Sequence, residues 1–149
     1  MDFKCKLKGH EFGMEFFAYL DTDSILRKKG LLDEIHQILG SVKNTDHRAI
    51  QNQFLRKGWE LEHRIFPQVS WAWDAYKDKA AVSIELSLID AVHRDFLRAI
   101  LGHKQNKLNV LVYVTSTFKE PRFENVRRDI EIFKGILDVP ILLIGLDHS

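Results

Sequence analysis

The stretch Trp73-Asp74-Ala75-Tyr76-Lys77-Asp78-Lys79-Ala80-Ala81-Val82-Ser83-Ile84-Glu85-Leu86-Ser87 decides the fold. It predicts a β-hairpin, because two strand-prone arms flank the polar tip Lys77-Asp78-Lys79. In the second arm Val82, Ile84 and Leu86 alternate with Ala81, Ser83, Glu85 and Ser87. Alternate residues of a strand face opposite sides, so Glu85 and Ser87 are expected to share one face. A turn centred near Asp78 sets Asp74 almost opposite Ser83 and makes Glu85 its diagonal neighbour. Diagonal cross-strand residues lie roughly 7–8 Å apart, and one cation can bridge two carboxylates at that range. A carboxylate within an otherwise apolar strand is costly unless something compensates it.

Outward from the hairpin the pattern alternates between helix and strand. Phe3, Cys5 and Leu7 alternate with lysines, which predicts a short edge strand ending at a turn begun by Gly9. Glu11 to Leu20 fits strand and helix equally. Asp21-Thr22-Asp23-Ser24 supplies N-cap candidates for a helical stretch from Ile25 to Leu39, broken near Gly30 and stopped by Gly40. His47 to Lys57 predicts a helix with Ile50, Phe54 and Leu55 inward, stopped by Gly58. Trp59 to Phe66 predicts a strand ended by Pro67. After the hairpin, Leu88 to Gly102 predicts an amphipathic helix. Its apolar stripe is Ile89, Val92, Phe96, Leu97 and Ile100, with Asp90, Arg94, Asp95 and Arg98 facing away. Leu108–Val114 and Pro140–Leu146 predict strands buried on both faces, separated by a helix from Pro121 to Leu137. Strands alternating with helices in this half imply an α/β sheet with crossover connections.

At 149 residues, with 45% hydrophobic and 29% charged, the chain is expected to form a single globular domain over residues 1–149. A net charge of +1 gives no global electrostatic drive toward nucleic acid, so any basic surface is local. The lone cysteine, Cys5, excludes an internal disulfide. No apolar run spans a membrane and the N-terminus lacks a signal-peptide core, so a cytoplasmic protein is expected.

An acid, then a strand carrying Glu-x-polar, then a helix, then a buried strand resembles the restriction-endonuclease-like nucleases with their PD-(D/E)-x-K signature. Asp74 stands for the first acid and Glu85-Leu86-Ser87 for the triplet. The nearer resemblance is to the BglII and BamHI group of type II restriction endonucleases, which replaces the usual lysine by glutamine or glutamate. The run Asn52-Gln53-Phe54-Leu55-Arg56-Lys57-Gly58-Trp59 also looks like that group's helix before the core sheet. The resemblance covers roughly Leu31 to Ser116. It implies an α/β, restriction-endonuclease-like fold with a central mixed β-sheet flanked by helices. It implies a Mg²⁺-dependent endonuclease acting on DNA. Asp74, Glu85 and the Leu86 carbonyl would be the metal ligands, Ser87 would hydrogen-bond a water, and Glu34 would be an additional acid. The cation would polarise the phosphate and acidify a water. Ser87 cannot supply the lysine's charge; Lys77 and Lys79 at the tip are the substitutes at hand.

Simpler roles stand beside these. Asp74 can be a turn acid, Glu85 an ion-pair partner and Glu34 a solvated helix residue. Ser87-Leu88-Ile89-Asp90 resembles a capping box, with Ser87 capping the next helix. Cutting both strands of a duplex with one site per chain calls for a two-fold homodimer. The alternative is a catalytically silent relative that binds nucleic acid or serves as an assembly subunit; a third possibility is an unrelated interaction module. If the two acids merely repel each other, neutralising either one raises thermal stability in the absence of metal.

Overall fold

The computed structural model describes residues 8–11, 13–43 and 46–147. The edge strand expected over Phe3 to Leu7 lies outside them. The element order is β1 (Lys8–Glu11), β2 (Met14–Tyr19), α1 (Thr22–Lys28), α2 (Leu32–Gly40), α3 (His47–Arg56), β3 (Glu60–Arg64), β4 (Ala72–Lys77) and β5 (Ala80–Ile84). There follow α4 (Ala91–Lys104), β6 (Val110–Ser116), α5 (Phe123–Ile132) and β7 (Ile141–Leu146). The strands form one mixed sheet in the order β1-β2-β7-β6-β5-β4-β3. β5, β6 and β7 run parallel, joined through α4 and α5. β3 and β4 extend one side antiparallel, and β2 with β1 the other.

The central strands alternate between two cores. Val110, Val112 and Val114 face α1, α2 and α3, where they meet Leu26, Ile35 and Phe54. Leu111 and Tyr113 face α4 and α5, where they meet Phe96 and Ile130. Burial on both faces explains why β6 and β7 read as unbroken apolar runs. Among the described residues no helix is long and apolar enough to cross a membrane.

The hairpin forms as the sequence predicts. Lys77 pairs with Ala80 around a two-residue turn, with Asp78 at φ 49° and Lys79 at φ 61°. Positive φ at both positions is the turn that matches strand twist. In the ambiguous Glu11–Leu20 stretch, Met14–Tyr19 form strand β2, since pairing with the apolar β7 outweighs local propensity, and Glu11 closes β1. Gly9 does not begin a turn; it pairs with Phe16 inside β1, and the chain reverses nearer Gly13, at φ 73°.

Two helical faces differ from expectation. On α3, Leu55 is exposed and Gln51 is buried. On α4, Leu97 is exposed, as is Ile89 just ahead of the helix, while Asp95 is buried. Asp95 is drawn in by the hydroxyl of Tyr113, which donates to its Oδ2 at 2.9 Å. The α5 helix is shorter than its apolar spacing suggests, and the chain turns from Phe133 to Ile136.

Tight packing of α5 on β7 gives a direct test. A Cβ placed on Gly145 would lie 2.8 Å from the Phe123 Cβ and 2.9 Å from a ring carbon. Phe123 is fully buried and has no room to retreat. Gly145→Ala is therefore expected to lower unfolding free energy by about 1–3 kcal/mol, measured by chemical denaturation.

Candidate active site

The two strands of the hairpin part company at Asp74. Their ladder ends at the pair Ala75–Val82, one step short of the expected Asp74–Ser83 pair. There the Asp74 side chain enters the ladder itself: its Oδ2 accepts from the Ile84 N–H at 2.6 Å. Its other oxygen lies 3.1 Å from His47 Nε2 on α3. The Asp74 side chain retains 18% exposure, so it is reachable from solvent.

The acids do not stand alone. Gln51, one helical turn after His47, donates from Nε2 to the Asp74 carbonyl at 3.1 Å and to Glu62 Oε1 at 2.8 Å. Residues four apart share a helix face, so α3 presents both groups to the end of β4. Asp46 caps this helix by accepting from the Ala49 N–H at 2.9 Å, which fixes its start at His47. Glu62 sits between the pairs Leu61–Ala75 and His63–Trp73, directly alongside Asp74. Its φ of 52° is rarely adopted by a non-glycine residue, a strain that recurs at functional sites.

Electrostatics tie these groups together. The hydrogen bond to Asp74 raises the His47 pKa above its ordinary value, burial opposes this, and the charges of Asp74, Glu62 and Glu85 reinforce it. Burial raises the Tyr113 hydroxyl well above its ordinary value, with Asp95, Glu85 and Asp74 adding to the effect. Burial also pushes the Asp95 carboxyl from 3.8 to about 6, with Glu85 contributing. Asp74, Glu62, Glu85 and Asp95 thus bear on one region at the ends of β4 and β5.

The remaining predicted residues are placed differently. Strand β5 ends at Ile84, so Glu85, Leu86 and Ser87 lie on the bend that follows it. The Glu85 N–H still donates to the Val114 carbonyl at 2.9 Å, holding the residue at the edge of β6. Its carboxylate turns along its own chain, with Oε1 accepting from Leu88 N–H at 2.9 Å and Ser87 N–H at 3.4 Å. The strand alternation expected to align Glu85 with Ser87 does not extend that far. Ser87 is exposed, and α4 starts four residues beyond it, after Asp90, so Ser87 does not cap the helix. Glu34 is held elsewhere: its Oε2 accepts from Trp59 Nε1 at 2.7 Å and from Lys77 Nζ at 3.0 Å. Lys77 is committed to that pair and to the Lys57 carbonyl.

His47, Gln51 and Glu62 are members of the site that the sequence reading missed. The spacing of His47 and Gln51 on one helix face was visible. Nothing local shows that this face meets β4.

The donor set can be tested against a metal. Asp74 and Glu85 supply hard oxygens, each with lone pairs beyond those used by the backbone N–H groups. Among the described residues no group of three His, Cys, Asp or Glu side chains is arranged to hold an ion unaided. Two carboxylates fit Mg²⁺, which keeps several waters and takes substrate oxygens, and do not fit a closed structural zinc site.

Comparison with known proteins agrees with this architecture. The solved structure of restriction endonuclease BglII complexed with a DNA 16-mer superposes with a TM-score of 0.79 at 18% identity. The match covers 91% of this chain and 78% of that one. No curated protein matches the chain by sequence. The model of the family described as restriction endonuclease BglII/BglIII matches residues 14–146. The chain belongs to the BglII/BglIII restriction endonuclease family.

Proposed function

We propose that the protein is a Mg²⁺-dependent DNA endonuclease that hydrolyses phosphodiester bonds at Asp74 and Glu85. The observation that carries this reading is the Asp74 carboxylate at the point where β4 and β5 diverge, anchored by Ile84 N–H and facing His47. When bound there, Mg²⁺ would supply polarisation of the phosphate and acidification of a water. Asp74 and Glu85 would hold it, with the Leu86 carbonyl as the further oxygen ligand offered by the bend.

The chain's own groups do the positioning. Ile84 N–H and His47 fix both oxygens of Asp74, so the carboxylate does not have to reorganise when charge develops. Leu88 N–H does the same for Glu85. Gln51 bridges Asp74 to Glu62 and keeps the third acid beside the first. Glu62 takes the place in this reading that the sequence suggested for Glu34. Glu34 is assigned to bracing Trp59 and Lys77. DNA is the proposed substrate; the BglII comparison, a DNA complex of a structurally similar protein, supports that choice.

The direct test is incubation of supercoiled plasmid with purified protein and Mg²⁺ or Mn²⁺. Nicked or linear product is expected, and none after chelation. Metal-dependent thermal stabilisation without cleavage would instead favour the catalytically silent relative, for which Ser87 in the lysine position already argues.

A homodimer belongs to the same proposal. Leu97 and Leu101 on α4, with Ile132 at the end of α5 and Ile136 in the turn after it, expose 64%, 39%, 66% and 63% of their surface. Between the helices lies an apolar cavity of about 110 Å³ lined by His93, Phe96 and Phe133 among others. Leu97→Glu is expected to convert dimer to monomer in sedimentation without unfolding the chain, since Leu97 is already exposed. The plasmid product should shift from linear to nicked. A wild-type chain that sediments as a monomer at high concentration would leave nicking as the surviving activity.

A further inference from the structure

We propose that Arg94 and Arg98, backed by Trp71, form a second anion site that grips a phosphodiester next to the one held at Asp74 and Glu85. The inference rests on the endonuclease reading above.

Arg94 and Arg98 are four residues apart on α4 and share a face. Like charges at this spacing repel. Among the described residues neither guanidinium forms a hydrogen bond or an ion pair. Arg98 Nε is fully buried without a partner, although buried donors are almost always satisfied. The Arg98 guanidinium lies 4.5 Å from the centre of the Trp71 ring. Stacking of this kind holds the planar group while leaving its N–H edge open. That residue lines a cavity of about 20 Å³ together with Trp73, Ser83 and Asp95. Burial and the charge of Arg94 both lower the Arg98 pKa. Asp95 opposes that shift, while its Oδ2 accepts from the Tyr113 hydroxyl and not from either arginine. Asp95 offsets part of the arginines' charge from a distance, but neither guanidinium is paired with it, and the buried Arg98 Nε calls for an acceptor from outside the chain.

The location selects which anion. Ser83 in the cavity wall directly precedes Ile84, whose N–H donates to Asp74, and Asp95 feels the charge of Glu85. A strand of nucleic acid lying over Asp74 and Glu85 brings a regular series of phosphates past this spot. Arg is suited to planar, two-pronged recognition of such a group.

The test uses the full chain and a fluorescein-labelled DNA duplex, with anisotropy measured without divalent metal between about 50 and 200 mM salt. Arg98→Gln and Arg94→Gln are each expected to reduce the slope of log K against log salt by about 0.9, and to weaken unrelated duplexes equally. Arg94 is exposed, so its variant serves if Arg98→Gln folds poorly. Slopes unchanged in both variants overturn the second site while leaving the endonuclease reading intact. Quenching of Trp71 by inorganic phosphate together with unchanged DNA slopes would make this a free-phosphate site, and also overturns the proposal. A wild-type chain that binds no duplex overturns this proposal and the endonuclease reading together.

Discussion

Asp74→Asn is expected to abolish metal-dependent plasmid cleavage, by at least about 10³-fold, in a chain that stays folded. The asparagine oxygen still accepts from the Ile84 N–H, so the end of β5 keeps its anchor. Its amide nitrogen replaces the oxygen that faces His47, and the negative charge is gone. In the proposed function a hard divalent cation then loses one of the carboxylates that would hold it. Glu85→Gln should act in the same way, because its amide oxygen keeps the Leu88 N–H bond while the charge is lost.

Stability sharpens the test. If the two acids only repelled each other, neutralising either would stabilise the metal-free protein. The structure gives Asp74 two favourable partners, so for Asp74→Asn that gain is offset. His47 is 44% exposed, so the lost charge-assisted bond is worth only about 1 kcal/mol after screening. The expected melting temperature without metal is therefore unchanged or lower by a few degrees. Mg²⁺ should raise it for wild type and not for either variant. Cleavage at wild-type rate by Asp74→Asn would remove Asp74 from the chemistry and with it the proposed function.

How far this site could be read in advance depends on the range of each interaction. The hairpin was legible because turn residues and strand alternation are local: Lys77, Asp78 and Lys79 at the tip sufficed to place the two arms against each other. The end of β5 was not, because the pattern Val82, Ile84, Leu86 continues past the point where the backbone bends. Leu86 stays partly buried there by packing on the α1–α3 core, which keeps the apolar period going without a strand. Glu62 reads as one more polar residue of an alternating strand; only its pairing position beside Asp74 sets it apart. Asp95 was expected to face away from the core and Gln51 was given no role, yet each is buried by a partner distant in sequence. Helical periodicity marks which face is apolar. It cannot show that a glutamine or an aspartate will find a hydrogen bond across the core.

Asp95 leads to the largest expected effect on stability. Its side chain is buried at the edge of the α4–α5 core, and that burial pushes the carboxyl up to about 6 from 3.8. Tyr113, Arg94 and Arg98 pull it down, Glu85 pushes it up, and burial dominates. Between these two values the folded chain binds the proton more tightly than the unfolded chain does. Stability from this group is therefore highest at low pH and falls as pH rises through the window, by on the order of 2–3 kcal/mol in all. Asp95→Asn removes the titration while keeping an acceptor for the Tyr113 hydroxyl. The variant is expected to exceed wild type at pH 7 by about that amount, roughly 5 °C in melting temperature, and to converge with it near pH 4. Urea denaturation of both proteins across this range, without metal, measures the difference directly. Equal stability at pH 7 would mean that the Asp95 carboxylate is better solvated than its burial indicates. A gain at pH 7 would show that the wild-type chain tolerates an ionised aspartate under its candidate active site at a standing cost in stability. Proteins tolerate such a cost where function requires the group, so the activity of Asp95→Asn decides whether this carboxylate serves the site or only lies beneath it.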